Sequence, residues 1–261
     1  MKKVRAKKHL GQHFLNDLSI AQGIVDAFGT ENKFSKTIEV GPGMGVLTKP
    51  LLKRDELELF VIDIDIESVE FLKHESSLDE EHLIAGDFLE LDLDKLYNGE
   101  KFGIIGNFPY NISSQILFKA LDYKDQAVEV VGMFQKEVAQ RVASPPGSKA
   151  YGIISVLLQA YYDIEYLFTV EPEVFTPPPK VKSAVIRLRR NNKTELDCNE
   201  KLFKTLIKSA FNQRRKTMRN SLKPFLNDEI KDMPLFAKRP EQLSVSEFID
   251  LTNLIEKQPS K

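Results

Sequence analysis

The sequence predicts an α/β fold: a Rossmann-like, mainly parallel sheet followed by a small all-helical domain. Three observations carry this expectation. Short apolar runs alternate with helical spacing as far as residue 190, a glycine-rich turn directly follows the first apolar run, and beyond residue 199 the spacing is helical throughout.

Residues 1–15 form a basic arm, with Lys2, Lys3, Arg5, Lys7 and Lys8, that runs into Leu10-Gly11-Gln12-His13-Phe14-Leu15. Ile20, Ile24, Val25 and Phe28 mark one face of a helix over 17–28. The first strand is Thr37–Val40, followed by Gly41-Pro42-Gly43-Met44-Gly45, a helix through Leu47, Leu51 and Leu52, and a second apolar run from Leu57 to Ile62 that ends in Asp63. This is a βαβ unit. A helix over 67–74, a short strand at 83–84 before Gly86-Asp87, and a strand at 102–105 continue the alternation. Further strands are expected at 127–134, 164–168 and 184–188, with helices near 112–121, 136–143 and 152–160. Strands alternating with helices imply a sheet covered on both faces.

From 190 to 199 the chain turns polar, which reads as a linker and sets two domains, 1–190 and 191–261. In the second, Leu202, Leu206, Ala210 and Phe211 mark one helix, and Met218, Leu222 and Phe225 a shorter segment. Ser244-Val245-Ser246-Glu247 is a capping box that opens a helix through Phe248, Leu251 and Ile255.

With 261 residues, 42% hydrophobic and 29% charged, the chain has the composition of a globular protein with a substantial core. No apolar run approaches the roughly 18 residues of a membrane span, and no signal-like segment follows the basic arm, so a cytoplasmic protein is expected. The single cysteine, Cys198, excludes an internal disulfide and a cysteine-based metal cluster. The net charge of −1 conceals an asymmetry. Residues 180–261 carry 19 Lys and Arg against 10 Asp and Glu, while the preceding 179 carry 18 against 28. A basic C-terminal third and a basic arm fit a polyanionic partner, or a solvated helix surface.

The chemistry concentrates at strand ends. Gly106-Asn107-Phe108-Pro109-Tyr110 follows the apolar run 102–105. Taken alone it is compatible with an ordinary turn, but it also suits alkylation of a base amine. An exocyclic adenine amine is a poor nucleophile because its lone pair is delocalised into the ring. The Asn107 side-chain carbonyl and the Phe108 or Pro109 backbone carbonyl can accept its two hydrogens, while Tyr110 stacks on the ring. Glu39-Val40-Gly41-Pro42-Gly43-Met44-Gly45 lacks both the spacing of a dinucleotide fingerprint and the Lys-Ser/Thr of a phosphate loop, so a nucleoside ligand without phosphate fits better. S-adenosylmethionine is such a ligand. Asp63 is placed for two ribose hydroxyls and Asp87 for the adenine amine. All four features fall at the carboxyl edge of the sheet, where open α/β sheets bind ligands.

Several ordered motifs together carry a resemblance: Gly11-Gln12-His13-Phe14-Leu15-Asn16-Asp17, the glycine loop, Gly106–Ser113, Gln135–Arg141, Phe175-Thr176-Pro177-Pro178-Pro179-Lys180-Val181-Lys182-Ser183-Ala184-Val185, and Ala210–Lys216. Across nearly the whole chain they closely resemble the ribosomal RNA adenine N6,N6-dimethyltransferases, and more specifically the bacterial small-subunit branch. The resemblance implies a class I methyltransferase sheet and cofactor contacts from His13, Leu15, Gly41, Asp63, Asp87 and Asn107, beside Gly43 of the loop. The family often has Asn at position 13, Glu at 63 and Leu at 108; the shorter Asp63 keeps its carboxylate. The substrate it implies is two adjacent adenosines in the loop of the last helix of small-subunit ribosomal RNA, each dimethylated during late subunit assembly.

Lys180, Lys182, Arg214, Arg215, Lys216 and Arg219 are the expected RNA contacts. Phe175 can stack behind the target base or serve as a buried anchor, and the basic arm can contact RNA or cover the cofactor. The expected reaction is direct transfer with no covalent enzyme intermediate and no metal, by a monomer acting on the small ribosomal subunit and not on DNA or membrane. The rivals are the large-subunit branch that confers macrolide resistance, a non-catalytic assembly factor, and a DNA adenine methyltransferase, for which no sequence-reading element is identifiable.

Overall fold

The computed structural model describes residues 4–29 and 34–258, so Lys2 and Lys3 of the basic arm lie outside the described residues. The first elements are β1 (Phe14–Leu15), α1 (Leu18–Asp26), β2 (Lys36–Val40), α2 (Thr48–Leu51), β3 (Glu58–Asp63) and α3 (Ile66–Glu75). Next come β4 (Leu83–Ala85), α4 (Leu93–Tyr97), β5 (Phe102–Asn107), α5 (Ser113–Asp122), β6 (Ala127–Gln135), α6 (Lys136–Ala143) and α7 (Ile153–Gln159). The chain continues through β7 (Tyr162–Val170), β8 (Phe175–Thr176), β9 (Ser183–Arg190), α8 (Glu200–Asn212), α9 (Met218–Ser221) and α10 (Val245–Glu256).

Local chemistry explains the helix starts. Asp17 accepts the Ser19 and Ile20 amides ahead of α1, and Asp65 accepts the Glu67 amide ahead of α3. The capping box before α10 forms as expected, with Ser244 Oγ accepting the Glu247 amide at 3.2 Å and Glu247 accepting the Ser244 amide at 2.8 Å.

The chain divides into two compact units. The first runs to Ala139 and takes up Asp163–Arg190; the second holds Gln140–Tyr162 and everything from Asn191. The division at 190/191 coincides with the polar linker. Residues 140–162, which the sequence places in the first domain, cluster instead with the helical unit. The reason is packing: α7 buries Ile154, Val156, Leu157 and Leu158 and lies against α8 and α10. A helix between two strands looks the same in sequence whether it covers the sheet or leaves it.

In the first unit a seven-stranded sheet has the order β4-β3-β2-β5-β6-β9-β7. Strands β4 to β6 pair in parallel along that order, with Ile38 opposite Phe60 on one side and Ile104 on the other, whereas β9 runs antiparallel to β6. The order reverses direction between β2 and β5, which opens a crevice beyond their carboxyl ends. Ile38, Val61, Ile104 and Val130 are fully buried, as expected of strands covered on both faces. A two-stranded sheet pairs β1 with β8, antiparallel. Pairs of two residues leave no periodic trace, and neither β1 nor β8 is predicted from sequence. In the helical unit α8 buries Phe203, Leu206, Ile207 and Ala210. The stripe is therefore rotated from the expected one, with Phe203 and Ile207 replacing Leu202 and Phe211. No helix among the described residues is long and apolar enough to cross a membrane.

Candidate active site

The crevice at the reversal of strand order holds a cleft of about 690 Å³, its mouth included, lined by residues 10–15, Glu39, 41–44, Val46, Leu47, Asp63, Ile64 and 107–110. It brings together His13, Leu15, Gly41, Gly43, Asp63 and Asn107 through Tyr110, residues separated by up to 97 positions in the chain but gathered by parallel strands that end at one edge.

The glycine turn is one wall. Gly43 has φ +56°, and a Cβ there would stand 2.9 Å from the Phe14 ring, so the backbone approaches this far only because the position is glycine. Asp63, at the end of β3, is 7% exposed and accepts the Gly43 amide at 3.3 Å and the Asp65 amide at 2.9 Å. Burial raises its carboxyl above the ordinary aspartate range, against the lowering effect of those two amides. A buried carboxylate with one backbone donor on each oxygen has acceptor capacity to spare, which two ribose hydroxyls would use.

Glu39, on β2 in the same wall, is buried and accepts Thr48 Oγ1 at 2.6 Å. Burial pushes its carboxyl up to about 8, with the Asp63 charge adding to the rise. A carboxyl raised above its ordinary 4.5 is held protonated by the fold, so its contribution to stability is complete below pH 4.5 and is lost as pH rises through about 8. Glu39→Gln is therefore expected to gain roughly 5 °C in Tm over the wild type between about pH 5 and about pH 9. A difference in Tm that stays flat over that range would show that Glu39 is ionised throughout.

The opposite wall is the arm. Lys7 donates to Asp65 at 2.6 Å and pairs with Glu67 at 3.3 Å, and Gln12 Nε2 donates to the second Asp65 oxygen at 3.1 Å. Burial alone would raise the Asp65 carboxyl, but Lys7, Gln12 and the Glu67 amide hold it below the usual range. Asp65 thus joins the arm to the strand end that carries Asp63. On the other side, β1 pairs with β8, and His13 Nδ1 donates to the Pro177 carbonyl at 2.7 Å. Residues 10–15 line the cleft. Lys7, Gln12 and Asp65 were not predicted as a group, since 58 positions separate Lys7 from Asp65 and no local pattern links them.

Asn107 closes β5. Its Nδ2 donates to the His13 carbonyl at 3.0 Å, which fixes the amide and directs Oδ1 away from that contact. The Phe108 side chain is buried against Phe134, over Gly132, where a Cβ would stand 2.1 Å from its ring. Phe108 is therefore a packing anchor for the turn, and only its backbone is offered to the cleft. The Pro109 carbonyl already accepts the Ile112 amide at 3.2 Å. Phe175 is 2% exposed and belongs to the core beside Leu15, Val131 and Met133, which decides for the buried anchor.

Asp87 lies two residues beyond β4, accepts the Leu89 amide at 2.8 Å, and does not line the cleft. The expected RNA contacts differ among themselves. Lys180, Arg215 and Lys216 are exposed. Lys182 pairs with Glu171 at 2.7 Å, Arg214 donates to the Lys149 carbonyl, and Arg219 pairs with Asp232 at 3.2 Å. Cys198 is free and half-buried, and burial pushes its thiol up to about 11, so it is no nucleophile.

The model of a family described as ribosomal RNA adenine dimethylase matches residues 3–257. The chain belongs to that family. Relatives agree: it is 60% identical to the ribosomal RNA small subunit methyltransferase A of Cytophaga hutchinsonii over 98% of this chain and 99% of that one. It is 57% identical to the protein of the same name from Parabacteroides distasonis, over 100% of this chain and 98% of that one. The fold matches solved structures of a dimethyladenosine transferase from Plasmodium falciparum, with TM-score 0.77 and 24% identity over 94% and 98% of the two chains, and of the 23S rRNA methyltransferase ErmE, with TM-score 0.69 and 22% identity over 92% and 99%. As a member of the ribosomal RNA adenine dimethylase family, the chain is an S-adenosylmethionine-dependent methyltransferase with a class I sheet and a helical C-terminal unit.

Proposed function

We propose that this protein dimethylates N6 of two adjacent adenosines in the loop of the 3'-terminal helix of small-subunit ribosomal RNA, using S-adenosylmethionine, during late subunit assembly in the cytoplasm. The observation that carries this reading is Asn107, held by the His13 carbonyl on the same cleft as Asp63 and the glycine turn. The two relatives described above carry small-subunit names, which favours this branch over the large-subunit one.

Asp63 holds the ribose of the cofactor, Gly41 and Gly43 admit it to the backbone, and His13 and Leu15 cover it. When bound, S-adenosylmethionine supplies an electrophilic methyl group on its sulfonium. The Asn107 Oδ1 and the Phe108 carbonyl accept the two N6 hydrogens of the target base; the Pro109 carbonyl, already taken by Ile112, is the poorer choice. These acceptors favour a pyramidal amine whose lone pair is released toward the methyl. Tyr110 stacks on the extruded ring, offsetting the cost of unstacking it. The methylated amine sheds its proton readily, so no strong base is needed, and positioning supplies most of the rate.

The exposed cations bind phosphate. Arg215→Ala with Lys216→Ala is expected to weaken binding to undermethylated small subunits and to reduce the slope of log K against log salt by about 2, with kcat changed less than twofold. An unchanged slope would remove these two residues from the RNA interface.

The direct test is transfer of labelled methyl to undermethylated small subunits, with large subunits and DNA in parallel and the product mapped by mass spectrometry. Dimethyladenosine on the small subunit alone is the expected result. Transfer to large subunits or DNA instead, or cofactor binding without transfer to any of the three, would overturn the reading.

A further inference from the structure

The phenol of Tyr110 is not needed for stacking, yet it is engaged. Its hydroxyl lies 2.5 Å from Ser183 Oγ, a fully buried group at the first position of β9, where Ser183 pairs with Gln135 of β6. The backbone of Tyr110 is held separately, its carbonyl accepting Ser113 Oγ at 3.2 Å from the first turn of α5. One ring face is covered by His13, with centroids 5.3 Å apart and planes at 29°. His13 is fixed in turn by its Nδ1–H on the Pro177 carbonyl. Backbone, ring face and ring tip thus have separate holds, and the hold on the tip comes from β9, two strands along the same edge of the sheet and 73 residues away.

A phenyl ring turns about its Cα–Cβ and Cβ–Cγ bonds, and stacking alone tolerates a broad range about the second. A hydrogen bond at the para position removes the freedom about the first, because any swing about Cα–Cβ carries the hydroxyl off its partner, whereas the phenol oxygen lies on the Cβ–Cγ axis and the turn about the second bond is left to the stacked His13 ring. Methyl transfer demands that N6 lie in line with the breaking bond, and the plane of the stacked base is set by the plane of the ring beneath it.

We propose that Ser183 is a positioning residue for methyl transfer, its hydroxyl fixing through the Tyr110 phenol the position and tilt of the ring on which the acceptor base stacks. This rests on the function proposed above. Ser183 touches neither base nor cofactor; it acts through Tyr110. Loss of its hydroxyl lets the ring rock, so bases still bind but a smaller share are aligned, and kcat falls while KM holds.

The test compares Ser183→Ala, Ser183→Thr, Tyr110→Phe and the double variant Ser183→Ala with Tyr110→Phe in methyl transfer to undermethylated small subunits. S-adenosylhomocysteine binding by calorimetry serves as the control for an intact cleft. Ser183→Ala is expected to lower kcat about tenfold with KM for subunits within twofold and S-adenosylhomocysteine affinity unchanged. Ser183→Thr, which keeps the hydroxyl, restores most of kcat. Tyr110→Phe, which keeps the ring and removes the phenol, matches Ser183→Ala, and the double variant is no worse than either single one. Wild-type kcat in Ser183→Ala, a rise in KM in place of the fall in kcat, or losses that multiply in the double variant would overturn the proposal. Absence of transfer by the wild type would instead overturn the function beneath it.

Discussion

Asn107→Ala is expected to lower kcat for methyl transfer to small subunits by roughly 10²–10³, the usual cost of removing one preorganised hydrogen-bonding group aimed at the reacting centre. The expectation follows from what the side chain does at each end. Its Nδ2 is committed to the His13 carbonyl at 3.0 Å, so the amide cannot turn, and Oδ1 is presented in a fixed direction. Alanine removes both the acceptor and the tie to the arm. Asn107→Asp separates them: it retains an acceptor but has no N–H for His13, and at neutral pH it sets a carboxylate against a carbonyl. We expect Asp to be as inactive as Ala, while RNA affinity in either variant stays within threefold of the wild type. Single-turnover methyl transfer and subunit binding measured side by side would check this. A variant that binds subunits tenfold more weakly yet turns over normally would assign Asn107 to RNA recognition.

Asp63→Asn is expected to weaken S-adenosylmethionine binding by about tenfold and Asp63→Ala by about 10²-fold, measured by calorimetry. Hydrogen bonds to a charged acceptor contribute about 1.5–3 kcal/mol each, and a ribose diol makes two. The carboxylate is buried with a single amide on each oxygen, so the folded protein bears a desolvation cost that the hydroxyls offset on binding. Asn keeps the steric form and one acceptor. Ala also releases the Gly43 amide, loosening the turn. An Asp63→Ala affinity within threefold of the wild type would place the ribose elsewhere.

The parts of the site that lie in contiguous motifs were legible from the sequence. The glycine turn reads as a close approach of backbone because it follows a strand and precedes a helix, and the structure gives it positive φ at Gly41, Gly43 and Gly45. The turn after β5 reads as chemistry through Asn107 and Tyr110. Phe108 and Phe175 behave differently. Both are aromatic residues in motifs, and both prove to be core, because whether a ring faces a cleft or a sheet depends on what stands opposite. For Phe108 that is Gly132, 24 positions on in the next strand. Asp87 is similar: its strand end was correctly placed, but a reach of two residues beyond β4 leaves it outside the walls of the cleft.

What the sequence determined by itself was periodic or local: the alternation of strands and helices, the capping box at Ser244, and the strand ends that bear Gly41, Asp63 and Asn107. These follow from backbone geometry over a few residues, which the sequence writes directly. Tertiary structure alone decided which strands became neighbours and hence that the order reverses between β2 and β5, that 140–162 join the helical unit, and that the arm is clasped between Asp65 and β8. It also decided that Ser183 meets Tyr110. Contacts of this kind depend on the complementary shape and hydrogen bonding of segments far apart in the chain, and nothing in either segment alone records its partner.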